Sequence, residues 1–144
     1  MTNSELVRPC ERPLTASEAK LVAAALSLSS AAEEFHSQVP RLNVVAESTS
    51  SWPILEFSVS GQRASSNAGM RTLADFQYKT GKGLLGYFVY EREGLLAGME
   101  CWAIDGQVEP KAWPAADELV PLRAATHNTS LHTDALTRAR ELNR

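Results

Sequence analysis

The stretch LLGYFVYEREGLLAGMECWAI, residues 84–104, decides the fold of this chain. It contains two β-rich segments, 84–91 and 95–104, joined by a short connection that ends in Gly94, as tight hairpin turns often do. Nearly every position in both segments is apolar, whereas a strand with one solvated face alternates apolar and polar residues. The stretch therefore predicts an antiparallel hairpin whose strands are buried on both faces.

Three more β-rich segments precede this hairpin, at residues 42–47, 54–60 and 72–79. The second and third alternate apolar with polar residues, which predicts that each shows one face to water. A glycine-containing turn at residues 80–83 joins the third segment to the hairpin, so the last three strands are expected to form a meander. A short edge strand is also expected at residues 118–122.

The clearest helix signal lies at Thr15 and Glu18. Thr15 can cap the free backbone N–H groups of a helix start, and Glu18 can complete a capping box. A second short helix is predicted at about residues 30–38, ended by Pro40. A terminal helix is predicted from Ser130, where apolar residues recur on one side. These apolar residues are Leu131, Ala135, Ala139 and Leu142.

Together these elements predict an α+β fold, in which an antiparallel meander sheet of about five strands is preceded by one or two helices and followed by a C-terminal helix. Residues 1–12 are interpreted as a flexible leader and residues 13–144 as a single domain. If the N-terminal helices cover one face of the hairpin, something else must cover the other. The C-terminal helix and a second copy of the protein are the two candidates.

The composition argues against several classes of function. With 144 residues, 44% hydrophobic and 22% charged, the chain can form one ordinary core. A net charge of −3 argues against nucleic-acid binding, and neither a secretory signal nor a membrane-spanning apolar stretch is evident, so a cytoplasmic location is expected. Residues 1–122 are acidic, whereas residues 123–144 carry four arginines against two acids. This distribution suits a protein partner or self-association better than a polyanion, and the alternative is solvated surface charge with no partner.

The sequence offers little evidence for a catalytic or metal-binding site. Cys101 could act as a nucleophile beside a histidine, but it lies among apolar residues and is interpreted as a core residue. Glu33 with His36, and His127 with His132, form pairs without the further ligands that a metal site requires. No cofactor or metal is therefore expected, and an enzymatic function is not favoured.

Four residues are the best candidates for a binding surface. Trp52 and Trp113 each precede a proline in or near a loop, and exposed tryptophans are enriched in interaction hot spots. The alternative is that each packs over the edge of the core. Glu56 and Asp75 lie on strands whose alternation can bring carboxylates to one sheet face, either as an acidic partner-binding patch or as an acid–base pair.

The pattern RPLT-x-x-E, from Arg12 to Glu18, is followed by a leucine- and alanine-rich helix, by strands, and by a turn at Asp105-Gly106. In this order of features, over roughly residues 12–122, the chain resembles small uncharacterised bacterial proteins. The resemblance implies no catalytic residue, and some small bacterial α+β proteins of this type are immunity or interaction proteins.

A non-enzymatic protein-binding module, immunity-like or homodimeric, is therefore the favoured hypothesis. The alternative is a small enzyme or ligand-binding domain with a pocket between sheet and helices.

Overall fold

A computed structural model describes residues 6–81, 83–106 and 108–122, and for residues 30–32 it describes the backbone only. Within these ranges, seven antiparallel strands form one sheet in the order β1-β2-β3-β6-β5-β4-β7. The strands are β1 (Val7–Pro13), β2 (Leu42–Ser48), β3 (Ile54–Val59), β4 (Met70–Thr80), β5 (Gly83–Arg92), β6 (Leu95–Ala103) and β7 (Val120–Pro121).

Two helical elements separate β1 from β2. Helix α1 spans Ala16–Ser27 and begins at the predicted capping box. There Glu18 N donates to Thr15 Oγ1 over 3.1 Å, and Thr15 N donates to Glu18 Oε1 over 2.9 Å. The second element, η1, is a 3₁₀ helix that spans Ser30–Arg41 and continues through Pro40, where the sequence predicted its end. A short 3₁₀ helix, η2 (Ala116–Glu118), lies just before β7.

The predicted meander of β4, β5 and β6 is confirmed. β4 and β5 meet at a two-residue turn, where Thr80 pairs with Gly83. β5 and β6 meet at Glu93-Gly94, whose φ angles of 55° and 79° are the left-handed values that such a turn requires. Residues 85–90 and 96–101 are all buried, as the apolar runs predicted.

The sheet has more strands than the five predicted. β7 is the expected edge strand, and Val120 pairs with Gln77 of β4. The flexible-leader interpretation of residues 1–12 is wrong from Val7 onward, because Val7–Pro13 pairs antiparallel with β2. The prolines and charged residues of β1 are not typical of a strand, so the sequence did not indicate one. They are tolerated because β1 lies at the edge of the sheet, where only one side of the backbone needs a hydrogen-bonding partner.

One face of the sheet, the helical face, holds the main core. Helix α1 contributes Leu21, Val22, Ala25 and Leu26, and the strands contribute residues that include Phe57, Phe76, Tyr87, Val89, Met99 and Cys101. The segment that precedes β7 covers the far end of this face, where Leu119 is buried and Trp113 is half-buried. The helical face is therefore closed partly by helix and partly by irregular chain.

The opposite face is called the second face. Its central row runs across four strands, because Ile54 pairs with Glu100, Glu100 with Phe88, and Phe88 with Asp75. Next to this row lie Glu56, Ser58, Gly86, Tyr90, Gly98 and Trp102. Ser58 is 3% exposed, so the prediction that β3 shows one face to water is wrong at that position.

The coarse prediction of an α+β protein with an antiparallel sheet is confirmed. The predicted C-terminal helix, from Ser130 onward, lies outside the described residues.

Candidate binding site

The two loop tryptophans come together at one end of the sheet. Trp52 lies just before β3, and Trp113 lies in the segment between β6 and β7. Together they line a cleft of about 180 Å³, named the tryptophan cleft. Charged and small polar side chains complete its lining, among them Arg12, Glu18, Glu47, Ser50, Ser51 and Lys111.

Trp52 is fixed to the backbone of β6. Its indole Nε1 donates a hydrogen bond to the carbonyl oxygen of Cys101 over 2.7 Å, and Cys101 N donates to the carbonyl oxygen of Pro53 over 3.1 Å. Pro53 is buried, while Trp52 is half-buried. A ring held in this way loses little conformational freedom when another molecule packs against it.

Trp113 is fixed by the core. Its ring packs edge-on against Tyr87, with ring centroids 6.0 Å apart, and the adjacent Pro114 is buried. The residue before it is tied to the sheet, since Tyr78 Oη donates to the carbonyl oxygen of Ala112 over 3.5 Å. Each tryptophan thus packs over the edge of the core, and each also keeps part of its surface in the cleft.

The charges of the cleft form a paired cluster and one separate lysine. Arg12 donates to the Glu18 carboxylate over 2.8 and 3.1 Å and lies 3.5 Å from Glu47. Burial alone would raise the pKa of Glu18, but hydrogen bonds from Arg12 and Thr15 outweigh burial and hold that pKa below its ordinary value. Lys111 is exposed and forms no ion pair with another described residue.

A wider groove of about 710 Å³ adjoins the cleft and shares the wall formed by residues 111–113. Its other lining residues come from the β4–β5 turn and from the chain after β6: Tyr78, Lys79, Thr80, Gly81, Leu85, Val108, Glu109, Pro114 and Glu118. The groove therefore lies between strand ends and irregular chain, rather than between the sheet and α1.

The two cysteines are poor nucleophiles. Cys101 is fully buried, and burial raises the pKa of its thiol to about 12. Cys10 is half-buried within β1, and burial together with Glu47 raises the pKa of its thiol as well. Both thiols stay protonated at neutral pH. Cys101 is buried in the core cluster of the helical face, so its interpretation as a core residue is confirmed.

Glu56 and Asp75 share the second face but lie far apart. Two strands separate β3 from β4, which places these residues three strand spacings, about 14 Å, from each other. Glu56 forms an ion pair with Arg63, and Asp75 lies across from Phe88. The separation excludes an acid–base pair, and neither residue lines the tryptophan cleft.

Among the described residues, no group of three or more His, Cys, Asp and Glu side chains is placed to hold a metal ion. His36 lies beside Ser27, with Nε2 3.1 Å from Oγ, and Glu33 is exposed. His127 and His132 lie beyond the last described residue.

Sequence reasoning missed Lys111 and the contact between Arg12 and Glu47. A signal for Lys111 existed, because it lies two residues before Trp113 in the same irregular segment. No local signal existed for the other contact, which requires β1 to pair with β2 and Arg12 to lie across from Val44.

Comparison with models of protein families, with curated proteins and with solved structures finds no match to this chain. In the part of the chain that the structure describes, no helix is long and apolar enough to cross a membrane. The geometry of the cleft is therefore the main basis for a functional proposal.

Proposed function

We propose that this protein is a non-enzymatic interaction module that binds another protein through the tryptophan cleft. The observation that carries the proposal is the convergence of Trp52 and Trp113, from distant parts of the chain, on one cleft. Both rings are held by the protein itself and keep part of their surface exposed. Tryptophan is enriched among the residues that carry most of the binding energy at protein interfaces.

The size of the cleft supports a protein partner over a small molecule. Sites that enclose small molecules have volumes of roughly 300–1,000 Å³, whereas the tryptophan cleft has about 180 Å³. A space of this size admits one or two side chains of a partner. An apolar side chain can contact the two indoles there, and a neighbouring carboxylate can reach Lys111.

The surrounding chemistry supports a binding role rather than a catalytic one. Both described cysteines are free, and the pKa of each thiol is raised, so neither offers a thiolate at neutral pH. Free thiols also fit a reducing compartment, and a location in the cytoplasm is part of the proposal.

A charge reversal at the cleft tests the proposal. The immobilised chain is exposed to lysate of its native host, and retained proteins are quantified for the wild type, Lys111→Glu and Lys20→Glu. Both lysines are exposed, but Lys20 lies on α1 outside the cleft, so it is a matched control. Proteins retained by the wild type should fall at least about tenfold with Lys111→Glu, while Lys20→Glu retains them.

Two results would contradict the proposal. One is equal retention by all three proteins, which would place the binding surface elsewhere. The other is a strict monomer by light scattering together with no protein enriched over a blank support, since a second copy of the chain is itself a candidate partner. A dimer that Lys111→Glu dissociates would support the homodimeric form of the proposal.

A second candidate function is the binding of a small ligand in the wider groove. The observation that favours it is the volume of about 710 Å³, which falls within the range of small-molecule sites. A ligand there would lose affinity with Lys79→Ala and keep it with Trp52→Phe, because Lys79 lines only the groove and Trp52 only the cleft. The opposite pattern would exclude this candidate.

A further inference from the structure

Strand β4 extends beyond the edge strand that pairs with it. β7 pairs with β4 only at Phe76 and Gln77, whereas β4 continues to Thr80. The chain before β7 does not follow β4 further, because Ala116–Glu118 form the 3₁₀ helix η2. Within the described part of the chain, the last three residues of β4, 78–80, therefore have no neighbouring strand on that edge.

The outward-facing backbone groups of this overhang belong to Lys79. Lys79 pairs with Leu84 of β5, whose carbonyl oxygen accepts a hydrogen bond from Ile104 N on the β6 side over 3.2 Å. The backbone groups of successive residues in an antiparallel ladder point to alternate sides. The N–H and C=O of Lys79 therefore point away from β5. Asp75 shows the same alternation, because its carbonyl oxygen accepts from Leu122 N on the β7 side over 3.4 Å.

The wider groove lies beside this overhang. Its lining includes Lys79, Thr80 and Gly81 from the end of β4 and the turn that follows. Among the described residues, neither backbone group of Lys79 has a hydrogen-bond partner. With a volume of about 710 Å³, the groove has room for several residues of an extended chain. The free edge of β4 can thus pair with a strand from another molecule.

The floor of the groove is apolar. Tyr78 and Leu85 are buried on the helical face, and together with the half-buried Trp113 they line the groove. Tyr78 and Lys79 are neighbours on a strand, so their side chains lie on opposite faces of the sheet. A residue paired with Lys79 would have its side chain on the same face as Lys79, and the residues before and after it would face the apolar floor.

The charges beside the overhang favour an acidic residue at the centre of the added strand. Lys79 is exposed and forms no ion pair with another described residue. Opposite charges that face each other on neighbouring strands are stabilising. The acids of the groove lining, Glu109 and Glu118, lie on the irregular chain between β6 and β7, and Glu118 accepts a hydrogen bond from Ala115 N over 2.7 Å.

We infer that the protein partner proposed above presents an extended segment that pairs antiparallel with the free edge of β4 at Lys79. The segment has an acidic residue across from Lys79 and apolar residues on either side of it, over Tyr78 and Trp113. This mode of binding rests on the proposed interaction function and adds which part of the partner is bound. Trp113 lines both the groove and the tryptophan cleft, so the two regions form one continuous surface.

A phage-displayed library of random linear peptides provides the probe. We expect the full-length protein to select peptides in which an acidic residue stands between two apolar residues. A selection without enrichment over a blank support would overturn the inference. It would show that Lys79 protects the edge of the sheet from pairing, as lysine does on many edge strands.

Two substitutions at position 79 isolate the backbone N–H. Lys79→Ala and Lys79→Pro both remove the lysine side chain, but only proline removes the N–H. Because this N–H points away from β5, proline is tolerated there, and the melting temperatures of the two variants should agree within about 4 °C. By fluorescence anisotropy, Lys79→Pro should bind a selected peptide about tenfold more weakly than Lys79→Ala. Equal affinities would overturn the inference.

N-methylation of the selected peptide gives a second measurement, which does not depend on the folding of a variant. Each N-methyl group removes one peptide N–H. Methylation of the acidic residue should lower affinity about tenfold, because its N–H donates to the Lys79 carbonyl oxygen. Methylation of either neighbouring residue should have little effect, since those N–H groups point away from β4. Equal losses at the three positions would overturn the inference.

The lysate experiment separates this inference from the proposed function. Suppose that retained proteins are lost with Lys111→Glu but are retained equally by Lys79→Ala and Lys79→Pro. The tryptophan cleft would then remain the binding site, and strand addition alone would be overturned. Loss with Lys79→Pro, but with neither Lys79→Ala nor Lys111→Glu, would instead support strand addition and contradict binding through the cleft.

Discussion

The second face and the tryptophan cleft are both built from aromatic residues beside charges, but they differ in burial. Phe88 and Tyr90 on the second face are at most 2% exposed, and their neighbour Glu100 is buried with them. Trp52 and Trp113 in the cleft are half-buried, and Lys111 beside them is exposed. Aromatic content therefore does not by itself identify a binding surface. A fully buried aromatic surface contributes to stability, whereas a fixed and partly exposed one remains accessible to another molecule.

Large-to-small substitutions should separate the two regions most clearly. Phe88→Ala should lower the free energy of unfolding by about 4 kcal/mol, because the ring is completely enclosed. Trp113→Ala should cost about half as much, since this ring keeps part of its surface in solvent. Urea denaturation of both variants measures the difference. Equal losses of unfolding free energy for Phe88→Ala and Trp113→Ala would contradict the difference in burial between the two regions.

The close approach of Tyr90 on the second face should also make Gly98 irreplaceable. Gly98→Ala should cost about 3 kcal/mol, because the new Cβ would lie 2.5 Å from the carbonyl oxygen of Leu55 as well as from Tyr90. Backbone cannot move aside as a flexible side chain can. Gly69 has no atom within 4 Å of a Cβ position, so Gly69→Ala should change stability by less than about 0.5 kcal/mol. A cost for Gly98→Ala as small as that for Gly69→Ala would show that Tyr90 does not lie over the sheet.

The cleft should be sensitive to one hydrogen bond. Trp52→Phe removes the indole donor that the Cys101 carbonyl oxygen accepts and should cost about 1.5 kcal/mol. Trp113→Phe should cost less, because Trp113 makes an edge contact with Tyr87 and no hydrogen bond within the described part of the chain. Chemical denaturation measures the loss of unfolding free energy in both variants. A larger loss for Trp113→Phe than for Trp52→Phe would contradict the hydrogen bond from Trp52 to the Cys101 carbonyl oxygen.

The smallest expected effect depends on pH. Glu18→Gln should cost about 1 kcal/mol at pH 7 through the lost ion pair with Arg12, because glutamine can still accept the hydrogen bond from Thr15 N in the capping box. Because the folded-state pKa of Glu18 lies below its ordinary value of 4.5, this stabilisation is complete above that value. It is lost as the pH falls through the folded-state pKa. Stability curves of wild type and variant should therefore converge at low pH, and a constant difference would contradict the assignment.

Local signals predicted most of the fold. The capping box at Thr15 and the turns at residues 80–83 and 93–94 involve neighbours in sequence, so composition and spacing reveal them. β1 was not predicted, because its residues form a strand only when they pair with β2. Its stability comes from a partner about 35 residues away in sequence, which no local propensity reports.

The site was predictable only as separate pieces. Trp52 and Trp113 were identified individually, but their meeting depends on the strand order and on the path of the chain after β6. The same strand order separates Glu56 from Asp75, although the alternation placed both on one face. Periodicity determines the face of a residue, whereas strand order determines its neighbours.

The central claim is that the tryptophan cleft, rather than the second face, meets a partner. Photo-cross-linking in the native host tests it directly, with benzoylphenylalanine placed either at the exposed Ser51, which lines the cleft, or at Gln77, whose register position is on the second face. We expect a cross-link to another protein chain from position 51 and none from position 77. A cross-link from position 77 alone would contradict the account.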